Sequence, residues 1–408
     1  MAANDATGRV ERPGLFRAVA AMMAAIAVAL PVLGGPLAAG PAGISPYFAN
    51  IVGQIATFAL LAIALDLIWG YAGILSLGHG LFFAFGGYLV AMHMLKAGYA
   101  YNGVTPDVMT FMGWTELPAH WWGFESAPYA LLLILLLPGL LAFGYGYFSF
   151  RSRVAGVYFA IITQALTYVA MLLMFRNDTG FGGNNGMTGF STLLGFDVGA
   201  QATVVGLATV SVLVTLGVYL ACGRLMRSPF GRILIAIRDD EDRLRFLGYD
   251  TLWPKLAVWT LSAVIAAIAG ALYVPQVGII NPKLLSPELS IEIAVWVALG
   301  GRGALAGAVI GASLISALKF WLTGFAPDLW PFILAGVVLA IVTTLPNGLL
   351  DLRLPSLRAR TARAAVAHAG ARAGARAGAR AGARAGARAG ARAAARAGEP
   401  AAETGQGG

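Results

Sequence analysis

Charge is scarce in this chain. Asp, Glu, Lys and Arg make up 12% of the 408 residues, about half the roughly 25% of a water-soluble domain. That leaves too little polar surface to cover a soluble body, so most side chains must face lipid or other helices. The single cysteine, Cys222, excludes an internal disulfide. Histidine is limited to His79, His93, His120 and His368 with no H-E-x-x-H, which argues against a metal centre. The lysines are Lys96, Lys255, Lys283 and Lys319. None follows a glycine, so no G-x-x-x-x-G-K-[ST] loop cradles phosphates. No cofactor and no catalytic residue is expected, and any ATP drive must come from another subunit.

What the chain has is apolar length. Hydrophobic residues make up 58%, mean hydropathy is +0.75, and the 53 glycines suit close helix packing in a membrane. The net charge of +9 is not a nucleic-acid signal, because residues 358–408 hold ten arginines and two glutamates and so account for +8 of it. In that segment Arg372, Arg376, Arg380, Arg384, Arg388, Arg392 and Arg396 stand four apart, which stacks like charges on one helix face. The interleaved glycines cost a helix about 1 kcal/mol each. The segment 358–408 is therefore expected to be a disordered cytoplasmic tail; repeat drift with no role is the favoured reading, and a polybasic contact with anionic membrane lipid the functional one. Residues 1–357 form the membrane domain.

No charged residue occurs from Ala18 to Leu65. A spanning helix needs about 20 apolar residues, so this stretch holds two spans, at 16–34 and 50–70, split by the cluster Pro31, Gly34, Gly35, Pro36, Gly40 and Pro41. Further spans are expected at 79–95, 129–150, 156–175, 203–222, 255–274, 304–322 and 330–346. The fold class is thus an all-α polytopic membrane protein with about nine full spans, plus a short broken or re-entrant segment at 291–301. Arg9, Arg12 and Arg17, the pair Arg151 and Arg153, and the basic stretch 223–255 all fall inside under the positive-inside rule. Both termini are then cytoplasmic, provided that 291–301 also crosses. A rival reading takes residues 1–40 as a cleaved signal peptide and leaves the downstream orientation unchanged.

Four segments stand out chemically. Asp66 to Gly80 is an apolar run broken by Gly70, Gly73, Gly78 and Gly80, and backbone freed at membrane depth survives only when buried in protein or lining a cavity. Asp66, Ser76 and His79 are candidates for a substrate path there, against a bland role in helix packing. Gly300-Gly301-Arg302-Gly303 continues into a small-residue face with Gly307 and Gly311, and Arg302 is expected to pair with Glu292 or Asp66 or to serve as a plain topology charge. Residues 175–189 carry Asn184 and Asn185 among glycines, suited to a small uncharged polar solute or to an ordinary turn. Residues 227–250 read as a short amphipathic helix from Ser228-Pro229 to Gly248. Its Ile233, Ile237, Leu244 and Leu247 at helical spacing form a docking face for a soluble partner, and Gly248 turns the chain back.

Gly-Tyr-Ala-Gly-Ile-Leu-Ser-Leu-Gly-His-Gly (70–80), Ser-Pro-Phe-Gly-Arg (228–232), Ala-Ile-Arg-Asp (236–239), Leu-Gly-Tyr-Asp (247–250) and Gly-Gly-Arg-Gly (300–303) resemble permeases of the branched-chain-amino-acid family of ABC importers. The resemblance covers 45–352. Within that family, residues 175–186, 274–282 and the Trp-bearing loop 109–122 are most similar to urea-transport permease subunits. The resemblance implies a bacterial inner-membrane permease paired with a second permease, two cytoplasmic ATPases and a periplasmic binding protein. It places an ATPase-coupling helix at about 229–248 and urea as the solute. The nearest alternative is the same machine for branched-chain amino acids. A stand-alone channel or secondary transporter has no use for a docking helix. An intramembrane hydrolase built on Ser76 and His79 lacks an oxyanion-hole motif and an orienting partner.

Overall fold

A computed structural model describes residues 13–34, 45–103, 105–154, 156–344 and 348–351. The basic tail, residues 1–12 and the Gly/Pro segment 35–44 lie outside these residues. So do the expected tail disorder and the supposed cleavage point near Leu37–Gly40.

The described residues form twelve α-helices: α1 Pro13–Gly34, α2 Pro46–Asp66, α3 His79–Asn102, α4 Asp107–Met112, α5 Ala127–Arg151, α6 Val157–Phe175, α7 Gln201–Arg227, α8 Pro229–Phe246, α9 Leu252–Val277, α10 Pro287–Gly300, α11 Leu305–Thr323 and α12 Trp330–Thr344. Among the described residues eight are long and apolar enough to cross a membrane: α1, α2, α3, α5, α6, α7, α9 and α11. The expected ninth span is α12, which has 15 residues. The short segment expected at 291–301 is α10, a 14-residue helix. At 1.5 Å per residue α10 is about 21 Å long, well short of the roughly 30 Å hydrocarbon core.

Helix ends follow local chemistry. Ser45 caps α2 by accepting from the Phe48 N–H, with Pro46 in the first turn. α9 stops at Gly278, whose φ of +75° suits a residue without Cβ. Two short antiparallel pairs lie at this end: Thr192–Leu193 (β2) with Phe196–Asp197 (β3), and Ile279–Ile280 (β4), just past α9, with Met187–Thr188 (β1). The second pair pins the Asn-rich loop to the far end of α9.

Helices α2 and α3 are the inner layer, with 78% and 83% of their apolar windows buried, against 28% for α1, α5 and α6. α9 packs along α3 and α5, α7 along α1 and α2, and α11 along α2 and α10. Small residues allow this closeness. Gly311 sits against the Trp296 carbonyl and Gly307 against Gly300, so the four-spaced glycines of α11 are the seam with α10.

Two interruptions set the internal plan. After α2 the chain makes a π-helical turn, Leu67–Tyr71, and then an extended stretch to Gly78 before α3 begins. α3 begins well inside the bundle. His79 Nε2 meets Ser262 Oγ at 2.5 Å, and Ser262 lies about 15 Å along α9 from Leu252. The second interruption, residues 278–286, returns from the far end of α9 to the start of α10. There Ser290 lies against Gly80 of α3. The first turns of α3 and α10 therefore meet at depth.

Candidate functional site

Two glycine-bearing turns and α8 converge at one end of the bundle. Asp66, fully buried, accepts a hydrogen bond at Oδ1 from the Gly303 N–H at 2.8 Å. Four residues on, the Gly70 carbonyl accepts from Arg238 Nη1 of α8, also at 2.8 Å. A Cβ on Gly70 would run into the Asp66 carboxylate and stand 2.7 Å from Gly303 Cα. Gly73, at φ +75°, leaves room for the Arg238 stem, whose Cγ would lie 2.7 Å from a Cβ there. The glycines are thus the condition for bringing α8, the α2 break and the α10–α11 turn together. Arg302 lies exposed with its guanidinium 5.1 Å from the Trp69 ring centroid, a cation–π contact.

α8 is two helices in line. Asp240 has extended backbone (φ −163°, ψ 93°), and its Oδ1 accepts from the Arg243 N–H at 3.0 Å. It is the N-cap of a second short helix. The kink divides the apolar side chains. Leu234 and Ile237 are buried in this chain's own core, while Ile233 and Leu244 are half-buried against it. Past the kink Phe246, Leu247 and Tyr249 are 90%, 70% and 55% exposed. The expected docking residues Ile233, Ile237, Leu244 and Leu247 therefore do not share one free face. Leu247 stands free, together with Phe246 and Tyr249. Gly248, at φ +88°, reverses the chain.

A charged clamp ties the end of α8 to α9. Glu241 Oε1 accepts from Lys255 Nζ at 2.6 Å, Arg245 Nη2 at 2.6 Å and Thr251 Oγ1 at 2.7 Å. Partial burial pushes the Glu241 carboxyl up. The hydrogen bonds from Lys255 and Thr251 and the charges of Lys255 and Arg245 outweigh it, and the group is held below the usual carboxylate range.

The other sequence candidates lie apart from this junction. Ser76 is buried outside any helix and its Oγ accepts from the Gly78 N–H. His79 engages Ser262 and stands edge-on to Trp259, with centroids 5.7 Å apart. Ser76 and His79 therefore do not make the pair that a hydrolase would need. Glu292 is buried and paired with Lys319 at 2.8 and 3.0 Å, and Lys319 also lies over Trp330. Asn184 and Asn185 are exposed in the turn Gly183–Asn185, beside the β1–β4 pair. Sequence reading overlooked Lys319, though a lone lysine in one apolar segment and a lone glutamate in the neighbouring one were a legible pair. It also overlooked Arg238 as an anchor and the Glu241 clamp. No group of three or more metal-ligating side chains occurs among the described residues.

Residues 47–352 match the family described as branched-chain amino acid transport system / permease component. The chain is 26% identical over 331 residues to the high-affinity branched-chain amino acid transport system permease protein LivM of Salmonella typhimurium, covering 75% of this chain and 71% of that one. It is 27% identical over 266 residues to the probable LivM of Methanocaldococcus jannaschii, covering 62% and 75%. It is 26% identical over 184 residues to the ribose import permease protein RbsC of Bacillus subtilis, covering 43% and 57%. No solved structure matches the chain. With three quarters of its length inside the family and its glycine turns joined to α8, this chain belongs to the branched-chain amino acid permease family of ABC importers, and it is a transport component rather than an enzyme.

Proposed function

We propose that this permease takes up urea, with short amides as further solutes, as half of the pore of an inner-membrane importer. A second permease completes the pore, two cytoplasmic ATPases drive it, and a periplasmic binding protein delivers the solute. The α8 end of the bundle faces the cytoplasm, as do both termini.

The observation that carries the ATP-driven part is the lock between α8 and the membrane breaks. Arg238 holds Gly70, and Gly303 holds Asp66. A push on the exposed Phe246-Leu247-Tyr249 end reaches both breaks through rigid contacts. A stand-alone channel has nothing to push there.

Urea is supported by the motifs at 175–186 and 274–282 and by the uncharged hydroxyls of Ser76 and Ser290, buried where α3 and α10 begin. Glu292 already has its cation in Lys319, so a zwitterion finds no spare charge on it. Branched-chain amino acids are the second reading, favoured by the names of the LivM relatives. The two readings separate in an uptake assay on cells expressing the chain with its operon partners. Labelled urea should enter, and unlabelled leucine in excess should leave its rate unchanged. Uptake of labelled leucine, with no uptake of labelled urea, supports the second reading.

A further inference from the structure

The first turns of α3 and α10 meet inside the bundle, and neither is capped by a side chain. The N-cap of α3 is Gly78, which has none, and Ser286 at the N-cap of α10 makes no capping hydrogen bond. The first N–H groups of a helix have no intrahelical partners and carry the positive end of its dipole. Beside them stands Ser290, in the first turns of α10. Ser290 is 2% exposed, its Oγ lies 3.2 Å from where a Cβ on Gly80 would stand, and among the described residues that Oγ has no hydrogen-bond partner. The Leu284 carbonyl lies 3.5 Å from the same point. A buried hydroxyl left unpaired costs about 1–3 kcal/mol, and alanine would fill the same space without that cost.

His79, the first residue of α3, leaves a second polar atom unpaired. The Ser262 hydroxyl donates its one proton to the Ala64 carbonyl, so it can only accept from His79 Nε2. Neutral His79 then presents Nδ1 as an acceptor, and Nδ1 also has no partner among the described residues.

We propose that Ser290, set against Gly80 where the first turns of α3 and α10 meet, is a solute-recognition residue for a small neutral amide. The helix N–H groups and the serine hydroxyl supply donors for a carbonyl oxygen. The serine oxygen and the Leu284 carbonyl, both beside Gly80, supply acceptors for amide N–H groups. No unpaired charge stands among these groups, which fits a neutral solute. The inference rests on the reading that the solute is urea or a short amide.

The test uses the whole complex, with both permeases, ATPases and binding protein, in urease-free cells. Initial rates of labelled urea uptake are measured for the unmodified chain, Ser290→Ala and Ser290→Thr. Ser290→Ala should raise KM for urea about tenfold, as one lost buried hydrogen bond predicts. Complex abundance should stay unchanged, and Ser290→Thr, which keeps the hydroxyl, should recover most of the affinity. An unchanged KM in Ser290→Ala overturns the proposal, because a mere space-filler would behave that way. If Ser290→Ala does not assemble, Ser290→Cys replaces it, with an intermediate KM expected and an unmodified KM overturning the assignment. The unmodified chain separates the two levels. If it moves no urea, the solute reading fails and this inference with it; if it moves urea and the variants behave as it does, only the inference fails.

Discussion

Gly70 has no room for a side chain, and that makes it the most sensitive residue of the junction. Alanine there would drive a methyl group into the Asp66 carboxylate and against Gly303. Overpacking of this kind costs about 1–3 kcal/mol, and it would also part Asp66 from the Gly303 amide. Gly70→Ala should lower the melting temperature of the purified permease and abolish uptake, and a variant with the same melting curve and full uptake would contradict the packing described here. The Glu292–Lys319 pair makes a second prediction at this scale. Glu292 is buried but Lys319 is only half-buried, so removing Glu292 leaves a partly solvated charge and costs less than the roughly 3–5 kcal/mol of a fully buried pair, whereas replacing both partners is often neutral. Glu292→Gln alone should reduce membrane abundance, and Glu292→Gln with Lys319→Met should restore it together with urea uptake. A double variant that is abundant yet inactive would show that the pair touches solute. Glu292 was visible in the sequence as a candidate. Its true partner, Lys319, was missed although the lone lysine of the next apolar segment was there to be read; the distance between them is set by how α10 and α11 pack.

At the scale of the element, α8 is held at one end and free at the other. Phe246 and Leu247 are already exposed, so Phe246→Asp with Leu247→Asp should leave insertion and stability unchanged. In a docked groove the same charges meet a desolvation cost of several kcal/mol. The variant should lose its ATPases on purification and take up no urea, and co-purification of both ATPases with intact uptake would rule out this docking end. The Glu241 clamp gives the pH dependence. A carboxylate held below its ordinary value stabilises the fold above the unfolded pKa of about 4.3, and that contribution is lost as pH falls through the lower folded value. Hydrogen exchange over residues 241–252, corrected for intrinsic rate, should be flat from pH 8 to 5 and rise only in stronger acid; a rise near pH 6 would point to another group. The spans, the Ser228-Pro229 start and the Gly248 reversal were legible because apolar length, proline and glycine act locally. The kink at Asp240 was not, since an N-cap inside a charged run looks like ordinary helix surface. The depth at which α3 and α10 begin was hidden for a similar reason: glycines mark a break but not how far the chain travels before the next helix starts.

At the scale of the whole molecule, the proposed orientation puts the α8 end inside and the β1–β4 end outside. Single cysteines placed near residue 240 in a chain lacking Cys222 should react with an impermeant reagent only from the cytoplasmic side, whereas one at Asn184 should react from outside. Labelling of the 240 region from outside would invert the arrangement. The central claim is that this chain, with its partners, concentrates urea at the expense of ATP. The most direct test is accumulation of labelled urea in urease-free cells carrying the full set of subunits, compared with cells lacking only this chain. An internal concentration above the external one is expected, collapsing to equality when ATP is depleted and absent without the chain. Equilibration alone, or concentrative uptake of leucine with none of urea, would contradict it.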